Sequence, residues 1–337
     1  NVKMELVYVP YHFLQSVVTK LTGAAIIGLS ACFYINGSMS VLYAVGMSIA
    51  AFMLYGSLET MGTFSSLIHV VSVCVDKANA VLGLDTMDID GKELNPENHD
   101  IEVKNIEFSY DKRKIIDGIS LSIPEKTTTA IVGPSGGGKT TLCNLIARFW
   151  DVDSGEITLG GTNVKDYSMN SLMNNFSFVF QNVYLFADTI ENNIKFGRPE
   201  ATHEEVVEAA KKACCHDFIS KLPDGYNTLI GEGGATLSGG EKQRISIARA
   251  IMKDSPIIIL DEATANVDPE NEKELTLAVD ALTKEKTIIM IAHRLKTVRH
   301  ADQIVVVDQG RIAQKGTHEK LMKQDGIYRR FVDSREL

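Results

Sequence analysis

Between Leu21 and Leu58 the chain contains no Asp, Glu, Lys, Arg or His. Only six charged side chains (Lys3, Glu5, Lys20, Glu59, Asp76 and Lys77) fall in residues 1–84, although the 337-residue chain holds 34 Lys and Arg and 43 Asp and Glu. A run of that kind excludes a uniformly solvated N-terminal region, because surface helices of soluble domains carry a polar face. Excess basic charge is also missing. A formal net charge of −9 argues against a nucleic-acid partner, which would call for a basic surface. The five cysteines, Cys32, Cys74, Cys143, Cys214 and Cys215, lack metal-ligand spacing, and the adjacent pair is poorly placed to bridge. They read as reduced thiols of a cytosol-facing protein. No internal repeat or low-complexity tract is present. No small-residue cleavage site follows the apolar stretch, which argues against a signal peptide.

What the uncharged region does contain is two long apolar runs, residues 13–35 and 39–58, separated by Asn36-Gly37-Ser38. A membrane helix needs about 20 apolar residues, so the pattern predicts a transmembrane helical hairpin. Lys3, Lys20 and Lys77 lie away from the turn, which places both ends on the cytoplasmic side. The competing reading is a buried hairpin in a soluble core, but core helices rarely run uncharged on every face. Residues 60–83 continue the apolar pattern with Asp76 and Lys77 interspersed, so the second helix is expected to extend into the cytosol. Glu59 and His69 are expected at or below the membrane surface. The organisation predicted is a partial transmembrane domain over 1–84, a polar linker over 85–100, and a second domain over 101–337.

From residue 101 short apolar runs alternate with helical ones. Strands are predicted at 101–110, 115–123, 128–132, 257–260, 287–291 and 303–307, with a helix over 139–149. Such alternation predicts an α/β domain with a mainly parallel sheet. Residues 191–250 are mostly helical and interrupt it, which reads as an inserted helical subdomain.

Gly133-Pro134-Ser135-Gly136-Gly137-Gly138-Lys139-Thr140 fits G-x-x-x-x-G-K-[ST] between a predicted strand and helix. Its glycines let successive backbone N–H groups turn onto a polyanion, and the helix N-terminus adds partial positive charge. In such a loop the lysine reaches the β/γ-phosphates and the following hydroxyl ligates Mg²⁺. Ile257–Leu260 followed by Asp261 and Glu262 would alone be a strand and a helix cap; beside a phosphate loop, Asp261 reads as a Mg²⁺ carboxylate and Glu262 as the group that polarises attacking water. Leu237-Ser238-Gly239-Gly240-Glu241 opens a second predicted helix and reads as a second anion site.

Together these motifs resemble the nucleotide-binding domain of ABC transporters, over about residues 101–335. The fold that the resemblance implies is a P-loop NTPase cassette: a mainly parallel sheet, an antiparallel β subdomain and an inserted helical subdomain, here preceded by an all-α transmembrane hairpin. It implies ATP and Mg²⁺ as ligands. Walker A is Gly133 to Thr140 with Thr141 beside it, Walker B ends at Asp261, and Glu262 is the expected base. Gln181 matches the Q-loop and a Mg²⁺ contact, His293 the switch histidine that contacts the γ-phosphate, and Tyr110, 23 residues before Gly133, the aromatic that stacks on adenine. Lys139, Glu262 and His293 are the catalytic set expected. The signature is Leu237 to Glu241, where the family more often has Gln at the fifth position. Ala265-Asn266-Val267-Asp268 departs from the usual D-loop Ser-Ala-Leu-Asp. The family pairs two cassettes head to tail, so Ser238, Gly239 and Gly240 would serve the nucleotide of a second cassette chain. Residues 229–234 resemble the X-loop of exporter-fold transporters, with Glu232 near the membrane domain.

An exporter-fold half-transporter has six spans and two are seen here. With Asn as the first residue, this leaves open a fragment, a truncated form or one piece of a split chain, with the missing transmembrane helices of the full transporter as partners. A bacterial cell-membrane location with the cassette on the cytoplasmic side is expected. Cargo stays open among siderophore or iron chelate, lipid, peptide and drug. Residues 149–152 and 179–186 resemble bacterial siderophore half-transporters. Two other classes were weighed: a soluble cassette ATPase of translation or DNA repair, which the hairpin opposes, and an ATP-binding regulatory module without turnover, which an intact Glu262 opposes.

Overall fold

A computed structural model describes residues 2–84, 87, 90–231, 237–261, 269–292 and 298–334. The chain forms two compact units, Asn1–Thr86 and Met87–Leu337.

The first unit is a helical hairpin, α1 (Val2–Ile35) and α2 (Val41–Leu82). Gly37, at φ +72, makes the turn between them. Close approach of the helices is seen at Gly23, where an added Cβ would touch the Tyr55 ring at 3.4 Å. Phe13–Ile35 is long and apolar enough to cross a membrane, and only 6% of its apolar window is buried. A core helix of a soluble protein would be mostly buried, so burial disfavours the soluble-core reading of this hairpin. The apolar stretch of α2, Val41–Ser57, is shorter, and the helix runs on to Leu82.

The second unit contains β1 (Ile101–Tyr110), β2 (Arg113–Ile123), β3 (Thr128–Val132), α3 (Lys139–Ile146), β4 (Ser154–Leu159), β5 (Thr162–Asn163), α4 (Met169–Asn174) and β6 (Phe176–Val179). There follow α5 (Ile190–Lys195), α6 (His203–Lys212), α7 (His216–Ser220), α8 (Gly239–Lys253), β7 (Ile257–Asp261), α9 (Pro269–Thr283), β8 (Thr287–Ile291), β9 (Gln303–Asp308), β10 (Arg311–Gly316), α10 (His318–Met322) and α11 (Ile327–Asp333). The main sheet has the order β10-β9-β3-β8-β7-β6, parallel except for β10. A separate antiparallel sheet has the order β2-β1-β4-β5. Helices α5 to α8 are inserted between the neighbouring strands β6 and β7.

Period-two alternation sends the central strands' side chains into two cores. Ala130, Val132, Ile258, Leu260, Ile288, Met290, Ile304 and Val306 pack with the inserted helices. Ile131, Ile257, Ile259, Ile289, Ile291, Val305 and Val307 pack with α3 and the antiparallel sheet. A sheet covered on both faces needs apolar residues at every position, which is why these strands read as unbroken apolar runs.

Helix α3 stops at Ile146, short of the predicted 149. Arg148 adopts a left-handed φ of +55 and turns its side chain inward. Its guanidinium is 2% exposed; Nη1 donates to the carbonyls of Val164, Lys165 and Tyr167 at 3.3–3.4 Å, and Nε to Asp151 Oδ1 at 3.0 Å. Residues 92–100, inside the stretch expected as a linker, are tied to the second unit. The Lys92 N–H donates to Asp166 O at 2.8 Å, Ser168 N–H donates to Lys92 O at 2.7 Å, and His99 N–H donates to the Glu125 carboxylate at 2.9 Å.

Replacing Arg148 with Met should strand those buried carbonyls, at a cost of about 2 kcal/mol. For a unit of this size the thermal midpoint is then expected to fall by about 4–8 °C. An unchanged midpoint in a thermal scan would show that the buried guanidinium is not a structural staple.

Candidate functional site

Four parallel strands end side by side on one edge of the main sheet. Ile131 pairs with Ile291 and Ile291 with Asp261, while Val179 on β6 pairs with Leu260 one residue earlier. At these ends stand the Gly133 loop after β3, Ala292 after β8, Asp261 as the last residue of β7, and Gln181 beyond β6. Ligands of open α/β sheets bind at this carboxyl edge. Glu232, Glu262, residues 265–268 and His293 lie outside the described residues.

The loop after β3 is closely braced. Gly133 has φ +144, and a Cβ there would stand 2.0 Å from the Val307 carbonyl oxygen of β9. Gly310, in the β9–β10 turn, has φ +75; its N–H donates to Gly137 O at 3.1 Å, and its carbonyl accepts from Asp117 N–H at 2.9 Å. A Cβ on Gly310 would lie 2.3 Å from Ile115 O. Helix α3 opens at Gly138, whose φ of +104 suits glycine, and its first residue is Lys139. The buried Lys139 ammonium donates to the Gly133 and Pro134 carbonyls at 3.1 and 2.9 Å, so it is held inside the loop. Ser135, Gly136 and Thr140 are exposed, and Thr141 is half-buried.

A cavity of about 240 Å³ joins this loop to the β1–β2 hairpin. Tyr110, Arg113, Ile115, Gly136, Gly138, Lys139, Thr140 and Thr141 line it. The lining holds two cations and no acid, and helix α3 adds its N-terminal partial charge. It therefore suits a polyanion with a flat group at the tyrosine end. Among the described residues no cluster of three or more His, Cys, Asp or Glu could hold a metal alone. Mg²⁺ at phosphate sites is bound through one or two protein groups plus phosphate oxygens. Asp261 and the Thr140 hydroxyl have the right chemistry. The Asp261 charge is felt by Cys143 on α3, whose thiol is pushed up chiefly by complete burial and secondarily by that carboxylate.

The second glycine motif sits elsewhere. Ser238 caps α8, and neither it nor Gly239, Gly240, Glu241 or Gln181 lines the cavity. Glu241 closes a capping box. Its Oε2 accepts from the Ser238 N–H and hydroxyl at 2.8 Å each, and its own N–H donates to Ser238 Oγ at 3.4 Å. The glutamate at the fifth position thus has a structural use in this chain. The Glu241 amide is taken by this cap, while those of Gly239 and Gly240 lack intrahelical acceptors, as at any helix start. Gln243 on α8 donates to Phe180 O at 3.4 Å, which links this helix to the residue before Gln181.

Sequence reasoning did not find Arg113, Ile115, Val307 or Gly310. Arg113 carried a signal, since Tyr110-Asp111-Lys112-Arg113 is a tight turn that returns the chain beside the tyrosine. The brace from Val307 and Gly310 had none, because a backbone contact across about 170 residues leaves no local pattern.

Known proteins similar to this chain share its fold and its sequence motifs' family. Residues 116–265 match the family described as ABC transporter. An ATP-dependent lipid A-core flippase of Desulfotalea psychrophila is 42% identical over 325 residues, covering 94% of this chain and 57% of that protein. A Staphylococcus aureus protein named for multidrug export is 49% identical over 239 residues, covering 70% of this chain and 41% of that protein. The solved structure of a bacterial Atm1-family ABC exporter with ATP bound is similar over 100% of this chain and 59% of that chain, with a TM-score of 0.74 and 33% identity. The chain thus spans about half the length of the relatives it matches.

Gly310→Ala tests the brace. With a positive φ and a backbone atom in the way, the turn must shift and release Gly137. Nucleotide affinity is expected to fall about tenfold, the equivalent of ~1.4 kcal/mol. Parental affinity by titration calorimetry would mean the turn does not support the loop.

Proposed function

The chain belongs to the ABC transporter family, and from that premise we propose that it is the ATP-driven part of a bacterial membrane exporter. One observation carries this reading: the ends of β6, β7, β8 and β3 share one sheet edge, beside a cation-lined cavity. Residues 101–337 serve as the cassette and residues 1–84 as the last part of a membrane domain, with the intervening segment joining them.

In this reading the Gly133–Thr140 amides and the Lys139 ammonium hold the β- and γ-phosphates of ATP, and Tyr110 stacks on the adenine. Thr140, Asp261 and Gln181 would hold Mg²⁺. When bound, that ion neutralises charge on the β- and γ-oxygens. Glu262 accepts a proton from the attacking water. The bond from the γ-phosphorus to the bridging oxygen breaks as the new P–O bond forms, and ADP and phosphate leave. Lys139 and His293 stabilise the charge that develops on the γ-oxygens.

Ser238, Gly239 and Gly240 lie on a different helix start from the cavity, so they are read as facing the nucleotide of a second cassette chain. Closure of the pair would move the attached helices, and hydrolysis would release it. The compared relatives are named for lipid A-core flipping and for multidrug export, which supports outward movement of an amphiphilic cargo over uptake of an iron chelate. The remaining membrane helices would come from the rest of the protein.

Glu262→Gln is expected to lower ATP turnover by about 10²–10⁴-fold, the range supplied by a general base, while ATP still binds. Turnover at the parental rate after reconstitution would remove Glu262 from that role. Lys139→Ala is expected to weaken ATP binding by about ten- to a hundredfold, through loss of a charge-assisted hydrogen bond. Unchanged affinity would refute the phosphate-loop assignment.

A further inference from the structure

The chain contains one tryptophan, Trp150, which does not line the cavity but packs its ring against that of Tyr110, which does. Its ring centroid is 5.5 Å from that of Tyr110, with the planes at 86°. Phe108 approaches the same tyrosine at 4.8 Å and 88°. Phe108 and Trp150 are themselves 6.2 Å apart and inclined at 51°. Two neighbours that are each perpendicular to Tyr110 but not parallel to one another define a single plane for its ring. Phe108 alone would leave the ring free to pivot about one direction. Edge-to-face pairs at these separations are attractive.

Trp150 is unusual in being rigidly held yet half in solvent. It is 50% exposed, and Tyr110 is 37% exposed. The backbone on both sides is pinned. Arg148 is buried among three carbonyls, Phe149 packs on Phe178 at 4.9 Å, and Asp151 binds the Arg148 guanidinium. A large ring left so exposed contributes little to the core, so its place is better explained by the tyrosine it touches. It also sits just past the end of α3, the helix whose first residue is Lys139.

We propose that Trp150 is a positioning residue of the nucleobase subsite: with Phe108 it fixes the plane in which Tyr110 meets the adenine. The proposal rests on the reading of Tyr110 as the adenine-stacking residue. Trp150 acts through that tyrosine and not on the phosphates, so its loss should be felt by ATP and not by a ligand without a base.

The test compares ATP with inorganic tripolyphosphate on the full chain in detergent, by titration calorimetry, for the parent, Trp150→Ala, Trp150→Phe and Tyr110→Ala. Trp150→Ala is expected to weaken ATP about three- to tenfold, the scale of an aromatic pair. Tripolyphosphate affinity should hold, and Trp150→Phe should return ATP affinity to within about twofold of the parent. In the parent, ATP should change the emission of the single tryptophan and tripolyphosphate should not; Tyr110→Ala should abolish the ATP response. Equal loss of both ligands in Trp150→Ala would reduce the indole to support of the fold, and ATP binding at parental strength would overturn the proposal outright. Parental ATP affinity in Tyr110→Ala would locate the failure in the stacking role of the tyrosine itself.

Discussion

The row of strand pairing that runs from Ile131 through Ile291 to Asp261 sets the level at which β3, β8 and β7 end, and the rest of the site depends on that level. A shift of one residue in any of these registers would exchange its two apolar faces between two different cores. Both faces are filled, one by the inserted helices and one by α3 and the antiparallel sheet, so the register is held from both sides. The chain segments that follow the strands are thereby delivered to one edge. The chemistry of the site is a consequence of sheet packing before it is a property of any side chain.

A second layer of constraint acts on the phosphate loop through backbone atoms. Gly137 is held by Gly310, Gly310 by Asp117, and Asp117 by Lys114 and Arg311, the last through Nε at 2.8 Å and Nη2 at 2.6 Å. The Asp117 carboxyl is held below the usual carboxylate range, first by the Lys114 hydrogen bond and then by that of Arg311. This network joins β2, the β9–β10 turn and the loop, so the base and phosphate ends of the cavity share supports. Tyr110 and Arg113 face each other at the end of the same β1–β2 hairpin.

The strands at 128–132 and 287–291 were legible to the residue because burial on both faces leaves short β-rich runs bounded by turns, and 101–110 because buried residues recur along it at Ile101, Val103, Ile106 and Phe108. The four-residue β6 and the edge strand β10 were not. Phe176–Val179 is too short to show a period, and β10 alternates exposed and half-buried residues with Arg311, Gln314 and Lys315 in it. The end of α3 was misplaced by three residues, because the left-handed Arg148 is stabilised by carbonyls of a distant segment, 164–167. Of the residues that line the cavity, Gly136, Gly138, Lys139, Thr140 and Thr141 belong to a glycine loop that was legible as a local pattern. Trp150, Arg113 and the Gly310 brace were not, since each matters only through what it touches.

Residue order alone determined that the N-terminal quarter suits an apolar solvent and the remainder an aqueous one, because charge is either present on a face or absent from it. It also determined that a strand, a glycine loop and a helix follow one another from residue 128. Tertiary structure decided which strand ends stand together, which glycine carries a backbone against its missing Cβ, and which aromatic ring orients Tyr110. Those outcomes depend on pairings between residues about 30 to 195 positions apart. Such pairings are set by the packing of two cores on one sheet, and a linear pattern does not encode them.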